Sequence, residues 1–211
     1  VIGLPVDPAL LLGFSATSAA IVVSPGPDTL VILRHALAGG RGRGLAAVGG
    51  VQAGLLVHTA LAALGISALI AASPVLFKGM AVAGAVYLAW LGLRSLAARG
   101  GIRVDSGSAP GSRWQAAREA MLTNLLNPKV LVLFFALYPN FIAPGGPVAV
   151  QIGLLSAILI AINVAWQAGL ALFADRARRW LARPAVDRVL NRGVGICLLV
   201  FAGLLLVEHV F

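Results

Sequence analysis

Two short segments combine residue types that rarely share an apolar stretch: Ser24-Pro25-Gly26-Pro27-Asp28 and Asn127-Pro128-Lys129. In each, a proline is followed directly by a charge. Proline has no amide hydrogen and its ring crowds the preceding turn, so carbonyls one turn upstream lose their partners. In hydrocarbon, such carbonyls are tolerated only where protein or a water-filled cavity satisfies them. A helix broken in this way offers carbonyls to a cation and a half-helix N-terminus to an anion. A molecule that carries both an ammonium and a carboxylate matches that pair of groups.

Asp28 and Lys129 would each cost about 2.5–3.5 kcal/mol at the centre of a bilayer. They must therefore pair, face a protein interior or line water. Two roles follow: a fixed ion pair joining the two segments, or a direct part in a polar pathway. His58 is either a hydrogen-bonded packing residue or a carrier of protons. Asn124, Asn163 and Gln167 are expected to hold helices together or to touch a bound solute. Gly50-Val51-Gln52-Ala53-Gly54 is a GxxxG pattern, which serves close packing within the chain or a homodimer equally well. Other chemistry is sparse. The single cysteine, Cys197, precludes an internal disulfide or a paired-thiol mechanism within the chain. Neither G-x-S-x-G nor H-E-x-x-H occurs, and no catalytic residue, metal or cofactor is expected.

The elements that must position these residues follow from composition. Of 211 residues, 60% are hydrophobic and 11% charged, with a mean hydropathy of +0.96. Soluble domains are about 45–50% apolar and about 25% charged, so this stock cannot build a water-exposed surface. Alternation typical of a membrane barrel is lacking, and the spacing predicts six helical spans. They cover about 9–38, 44–72, 74–98, 114–138, 148–174 and 193–211, the first interrupted at 24–28 and the fourth at 127–129. Residues 99–112, rich in Gly, Ser and Arg, read as a linker. The turn into the fifth span carries Pro139, Pro144, Gly145, Gly146 and Pro147, and the basic stretch 175–192 connects the fifth to the sixth. The apolar N-terminal run lacks a basic leader and outlasts a signal-peptide core, so it reads as a retained first helix.

A net charge of +9 in such a chain reflects cationic loops beside lipid, not nucleic-acid binding. All but Lys78 and Lys129 of the 16 basic residues flank the connections between spans one and two, three and four, and five and six. The positive-inside rule makes those connections cytoplasmic and places both termini outside; Trp114 and Trp180 suit the interface.

Three spans per half is an odd number, so the second half enters the membrane from the opposite side. The breaks fall near the middle of the first span of each half, the pattern of inverted repeats around a midplane binding site. The expected architecture is an all-α polytopic membrane protein of six transmembrane helices. It forms two inverted three-helix repeats, residues 1–98 and 113–211, joined by a cytoplasmic linker at 99–112, with the first helix of each repeat broken.

The Pro25-Gly26-Pro27 break, the glycine-rich second helix and Asn127-Pro128-Lys129 in the fourth resemble the LysE/RhtB amino-acid exporters. The likeness covers essentially the whole chain. It implies a transporter, not an enzyme, that moves amino acids, neutral ones such as threonine, homoserine or leucine, out of the cytoplasm across the bacterial inner membrane. Proton antiport is the implied driving force. Residue by residue it carries over to Pro25, Gly26, Pro27, Asn127, Pro128 and Lys129; Asp28 adjoins them at a position where family members vary. The alternatives are a metal-cation exporter of similar fold and a membrane redox or assembly protein. Soft-metal sites recruit Cys, Met or several His, a thiol conduit needs paired cysteines, and an intramembrane hydrolase needs a nucleophile and a base.

Overall fold

A computed structural model of the chain describes residues 7–97, 111–143, 146–181 and 183–210. The described residues form helices and their connections: α1 (Pro8–Val23), α2 (Pro27–Gly39), α3 (Arg41–Ala72), α4 (Pro74–Ala97), α5 (Arg113–Leu125), α6 (Pro128–Val132), α7 (Val148–Leu172), α8 (Ala174–Leu181) and α9 (Pro184–Val210). Proline opens α1, α2, α4, α6 and α9, where its missing N–H and fixed φ are harmless. The same residue type that ends one helical segment thus starts the next.

Both expected breaks are present. α1 stops at Ser24, and α2 resumes at Pro27 with a bend of 54°. The second break is longer. α5 ends at Leu125, Asn127 caps α6 by accepting from the Lys129 amide, and α6 runs into a π-helical turn (Leu133–Leu137) and a 3-10 turn (Tyr138–Phe141). Among the described residues, Arg41–Ile66 and α7 are each long and apolar enough to cross a membrane, and the bent α1–α2 pair passes the same test when its two helices are taken together as one span. Helices also occupy the stretches expected for the third, fourth and sixth spans, as α4, α5–α6 with its turns, and α9, but among the described residues these do not meet the same test of length and hydropathy. The fourth is cut into short pieces, and α9 begins in a basic segment. Many Leu, Ile and Val side chains are exposed, including Leu12, Leu56, Leu64, Ile196 and Leu204, as an apolar surface in a lipid environment requires.

Within the basic stretch 175–192, the described residues are helical up to Leu181 and again from Pro184. Arg, Ala and Leu are good helix formers, so α8 forms directly after Phe173 and α9 starts at Pro184, earlier than hydropathy alone placed it. Of the 99–112 linker, only Gly111 and Ser112 lie within the described residues. Ser112 forms a capping box with Gln115 at the start of α5. Pro144 and Gly145 also lie outside the described residues; beyond them Gln151 ties the turn down, accepting from the Ala143 amide at 2.8 Å and donating to its carbonyl at 3.0 Å.

The main core gathers Phe14 and Ile21 of α1, Leu55 of α3, Leu88 of α4, Phe134 and Tyr138 of the second broken helix, Leu155 of α7 and Leu198 of α9. Aromatic rings line up inside it: His58 stacks on Phe134, Phe134 on Tyr138, and Phe14 meets Tyr138 edge-on. The Tyr138 hydroxyl is satisfied by Ser156 at 3.0 Å. This core holds the second broken segment, which has too few regular backbone bonds to hold itself.

Candidate functional site

The glycines of the GxxxG pattern are used inside the chain. A Cβ on Gly50 would overlap the Ala117 carbonyl, and one on Gly54 would lie 2.5 Å from Asn124 Oδ1. The missing side chains therefore let α5 settle onto α3 and bring Asn124 to the second break. A homodimer is not needed to explain the motif.

Asn124 and Asn127 turn their amide groups onto the first break. Asn124 Nδ2 donates to Asp28 Oδ2 at 2.9 Å, and Asn127 Nδ2 donates to Asp28 Oδ1 at 3.2 Å. Asp28 is buried in the first turn of α2, where free N–H groups and the helix dipole favour a negative charge. Lys129 makes the reciprocal arrangement. Its Nζ donates to the Ser24 carbonyl at 2.6 Å, at the C-terminal end of α1, where the dipole favours a cation. The two charges thus hold the two breaks together through neutral partners. Among the described residues they do not form a direct ion pair, so the fixed-pair role is not what the geometry builds.

Backbone accounting explains His58. In a continuous helix the Asn124 carbonyl would accept from residue 128, but Pro128 has no N–H to give. The orphaned oxygen accepts instead from the Asn127 amide at 3.1 Å, and His58 Nε2 approaches it at 3.4 Å. His58 therefore stands behind Asn124, not in the cavity beside Asp28, and its Nδ1 is buried without a hydrogen-bond partner. Gln52, from the middle of the glycine motif, donates to Asn163 Oδ1 and to Gln167 Oε1, each at 3.1 Å. It thereby fixes both α7 amide groups.

Gly26, Asp28, Asn127, Lys129, Asn163 and Gln167 line one cavity of about 30 Å³ together with Ser24 and Thr29, against apolar walls from Ile21, Leu55, Leu133 and Leu159. That is room for about one or two waters. Pro25 and Pro27 border a larger cleft on the other side of Lys129, and Pro128 opens α6. Gly26 has extended backbone, and a Cβ there would lie 3.8 Å from Lys129 Cδ, an ordinary contact. Its smallness is therefore not required for Lys129 to reach Ser24.

Several residues at or near the site escaped the sequence reading. The Ser24 carbonyl is a backbone group and leaves no trace in residue type. Gln52 was hidden within a glycine motif. Glu119 joins α5 to α2: Arg34 Nη2 donates to its Oε1, and His35 Nε2 lies 2.9 Å from its Oε2. An acidic residue inside the fourth span was the available signal for that cluster. Among the described residues no three His, Cys, Asp or Glu side chains converge as a metal site would require.

Gly54→Ala is expected to push Asn124 off the Asp28 carboxylate, whereas Gly26→Ala should be tolerated. Loss of one buried hydrogen bond to a charge is worth about 1.5–3 kcal/mol. Thermal unfolding in detergent should therefore separate the two variants clearly, with Gly54→Ala the less stable. Equal stability would refute the close approach of α3 and α5.

A family model described as LysE type translocator matches residues 19–209. The chain is 31% identical over 189 residues to the homoserine/homoserine lactone efflux protein of Salmonella typhimurium, covering 90% of this chain and 92% of that protein. It is 30% identical over 192 residues to the leucine efflux protein of Klebsiella pneumoniae, covering 86% and 87% of the two chains. It is also 28% identical over 151 residues to the threonine efflux protein of Escherichia coli K12, covering 69% and 72%. No solved structure matches the chain significantly.

Proposed function

This chain belongs to the LysE type translocator family, and from that premise we propose that it exports small neutral amino acids from the cytoplasm by proton antiport. The observation that carries this reading is the pair of opposite charges in one cavity, each bound to neutral groups and not to the other. A zwitterion can exchange for those neutral partners without breaking an ion pair. Its carboxylate would take Lys129 from the Ser24 carbonyl, and its ammonium would take Asp28 from the two asparagine amides. Asn163 and Gln167 remain to orient it, while Ile21, Leu55, Leu133 and Leu159 suit an aliphatic side chain. At about 30 Å³ the cavity corresponds to a closed conformation, and loading requires a more open one that the substrate stabilises.

In this reading the protein sits in the bacterial inner membrane. Residues 1–98 and 113–211 act as inverted repeats whose relative rocking exposes the paired breaks to either side. Both termini are periplasmic. A C-terminal phosphatase fusion should accordingly be active and a C-terminal fluorescent protein dark; the opposite pair of results would overturn the orientation. The activity itself is tested by feeding dipeptides to cells with and without the protein and quantifying amino acids on both sides. Homoserine, threonine or leucine should accumulate outside only in cells that contain it. Indistinguishable levels for all three would defeat the proposal.

A further inference from the structure

Lys129, together with Ile21, Ser24, Gly26 and Asn127, forms the partition between two spaces. On one side is the small cavity with Asp28; on the other is a cleft of about 400 Å³, which Lys129 and the first break also line. Beyond Ile21 and Asn127, the rest of the cleft is walled by α4 and α9, including Tyr87, Trp90 and Arg94. Asp28 borders the inner cavity but not this cleft.

The far end of the cleft is marked by a second cation. Arg94 lies in the last turn of α4, and its guanidinium carbon sits 5.2 Å from the centroid of the Trp90 ring. Trp90 is itself supported by Tyr87, with ring centroids 5.1 Å apart. Stacking restrains a guanidinium while leaving its in-plane N–H donors free for a planar oxyanion. Among the described residues no carboxylate pairs with Arg94. The wall that carries it is pinned, because Ser95 Oγ donates to the Asn191 carbonyl of α9 at 2.9 Å. Tyr87 lies roughly 10 Å further along α4 at 1.5 Å per residue, so the cleft leads from the helix end toward the breaks.

We propose that this cleft is the loading vestibule for the substrate and that Arg94 is its first carboxylate-binding residue, ahead of Lys129. The inference rests on the reading of the protein as an amino-acid exporter and adds an order of events. The carboxylate binds Arg94 at the cytoplasmic end and passes to Lys129, and the ammonium finds Asp28 only after crossing that partition. An oxyanion at Arg94 has two sources, a substrate carboxylate or the headgroup of a net-anionic lipid, and the test separates them.

The full chain is reconstituted in vesicles, and homoserine transport from the cytoplasmic face is measured under a proton gradient. Arg94→Gln should raise KM about tenfold with Vmax changed less than about twofold, the effect of losing one charge-assisted contact. Arg94→Lys should recover part of the affinity. Wild-type KM should be the same in vesicles of phosphatidylcholine alone as in vesicles containing phosphatidylglycerol. An unchanged KM in Arg94→Gln, or a loss confined to Vmax, would overturn the proposal. So would a wild-type KM in phosphatidylcholine as poor as that of Arg94→Gln, since the guanidinium would then serve a net-anionic lipid headgroup. Wild-type vesicles that transport none of homoserine, threonine or leucine would defeat the export reading itself and this inference with it.

Discussion

Export should fall roughly a hundredfold in Lys129→Met while the protein still accumulates in the membrane, as loss of a charged hydrogen bond worth up to ~3 kcal/mol implies. Lys129 Nζ donates to the Ser24 carbonyl at 2.6 Å, and it stands where the cavity and the cleft meet. Methionine keeps the length and removes the charge. Had Lys129 been the counter-ion of Asp28, the substitution would strand a buried carboxylate, a strongly destabilising change that a second substitution at Asp28 would repair. In this structure Asp28 keeps both asparagine donors without Lys129, and only a carbonyl beside a water-sized cavity is freed. The double variant Lys129→Met with Asp28→Asn should therefore be no more stable than Lys129→Met alone and should not regain export. Detergent stability and export of the two single variants and the double decide the matter. Recovery of yield in the double would restore the ion-pair account, and a fully active Lys129→Met would remove Lys129 from the pathway.

Asp28→Asn should impair export more than folding, and for a reason the geometry makes specific. The carboxylate accepts from two amide groups at once, one oxygen to each. An asparagine in its place presents one acceptor and one donor, so one of the facing amides meets another donor. The stability loss should be about 1–3 kcal/mol, the usual penalty for one unsatisfied buried polar group. Export should suffer further, because an uncharged side chain no longer attracts the substrate ammonium and cannot take up a proton. The pH dependence of transport should flatten. If Asp28→Asn inserts normally and transports with the wild-type pH profile, Asp28 does not carry the proton. His58, one residue removed behind Asn124, then becomes the next group to replace.

The chain's own composition and order of residues determined the helical class, the places of both breaks and the identity of the charges beside them. These are local consequences: apolar runs form helices when backbone groups must satisfy themselves, and proline stops or starts them wherever it falls. The glycine pattern at Gly50 and Gly54 was equally plain, but its purpose was not. Whether it joins two copies or two helices of one chain depends on which surface arrives opposite it, here Ala117 and Asn124. The partners of the charges were decided in the same way. Two opposite charges at matched breaks suggest a pair, yet tertiary packing places two asparagine amides on Asp28 and a helix-end carbonyl on Lys129. A backbone carbonyl has no signature in residue type, and a side-chain amide gives no sign of which distant group it will meet. Sequence therefore dictates where hydrogen-bonding groups are set free, and only the packed structure dictates which of them satisfy one another.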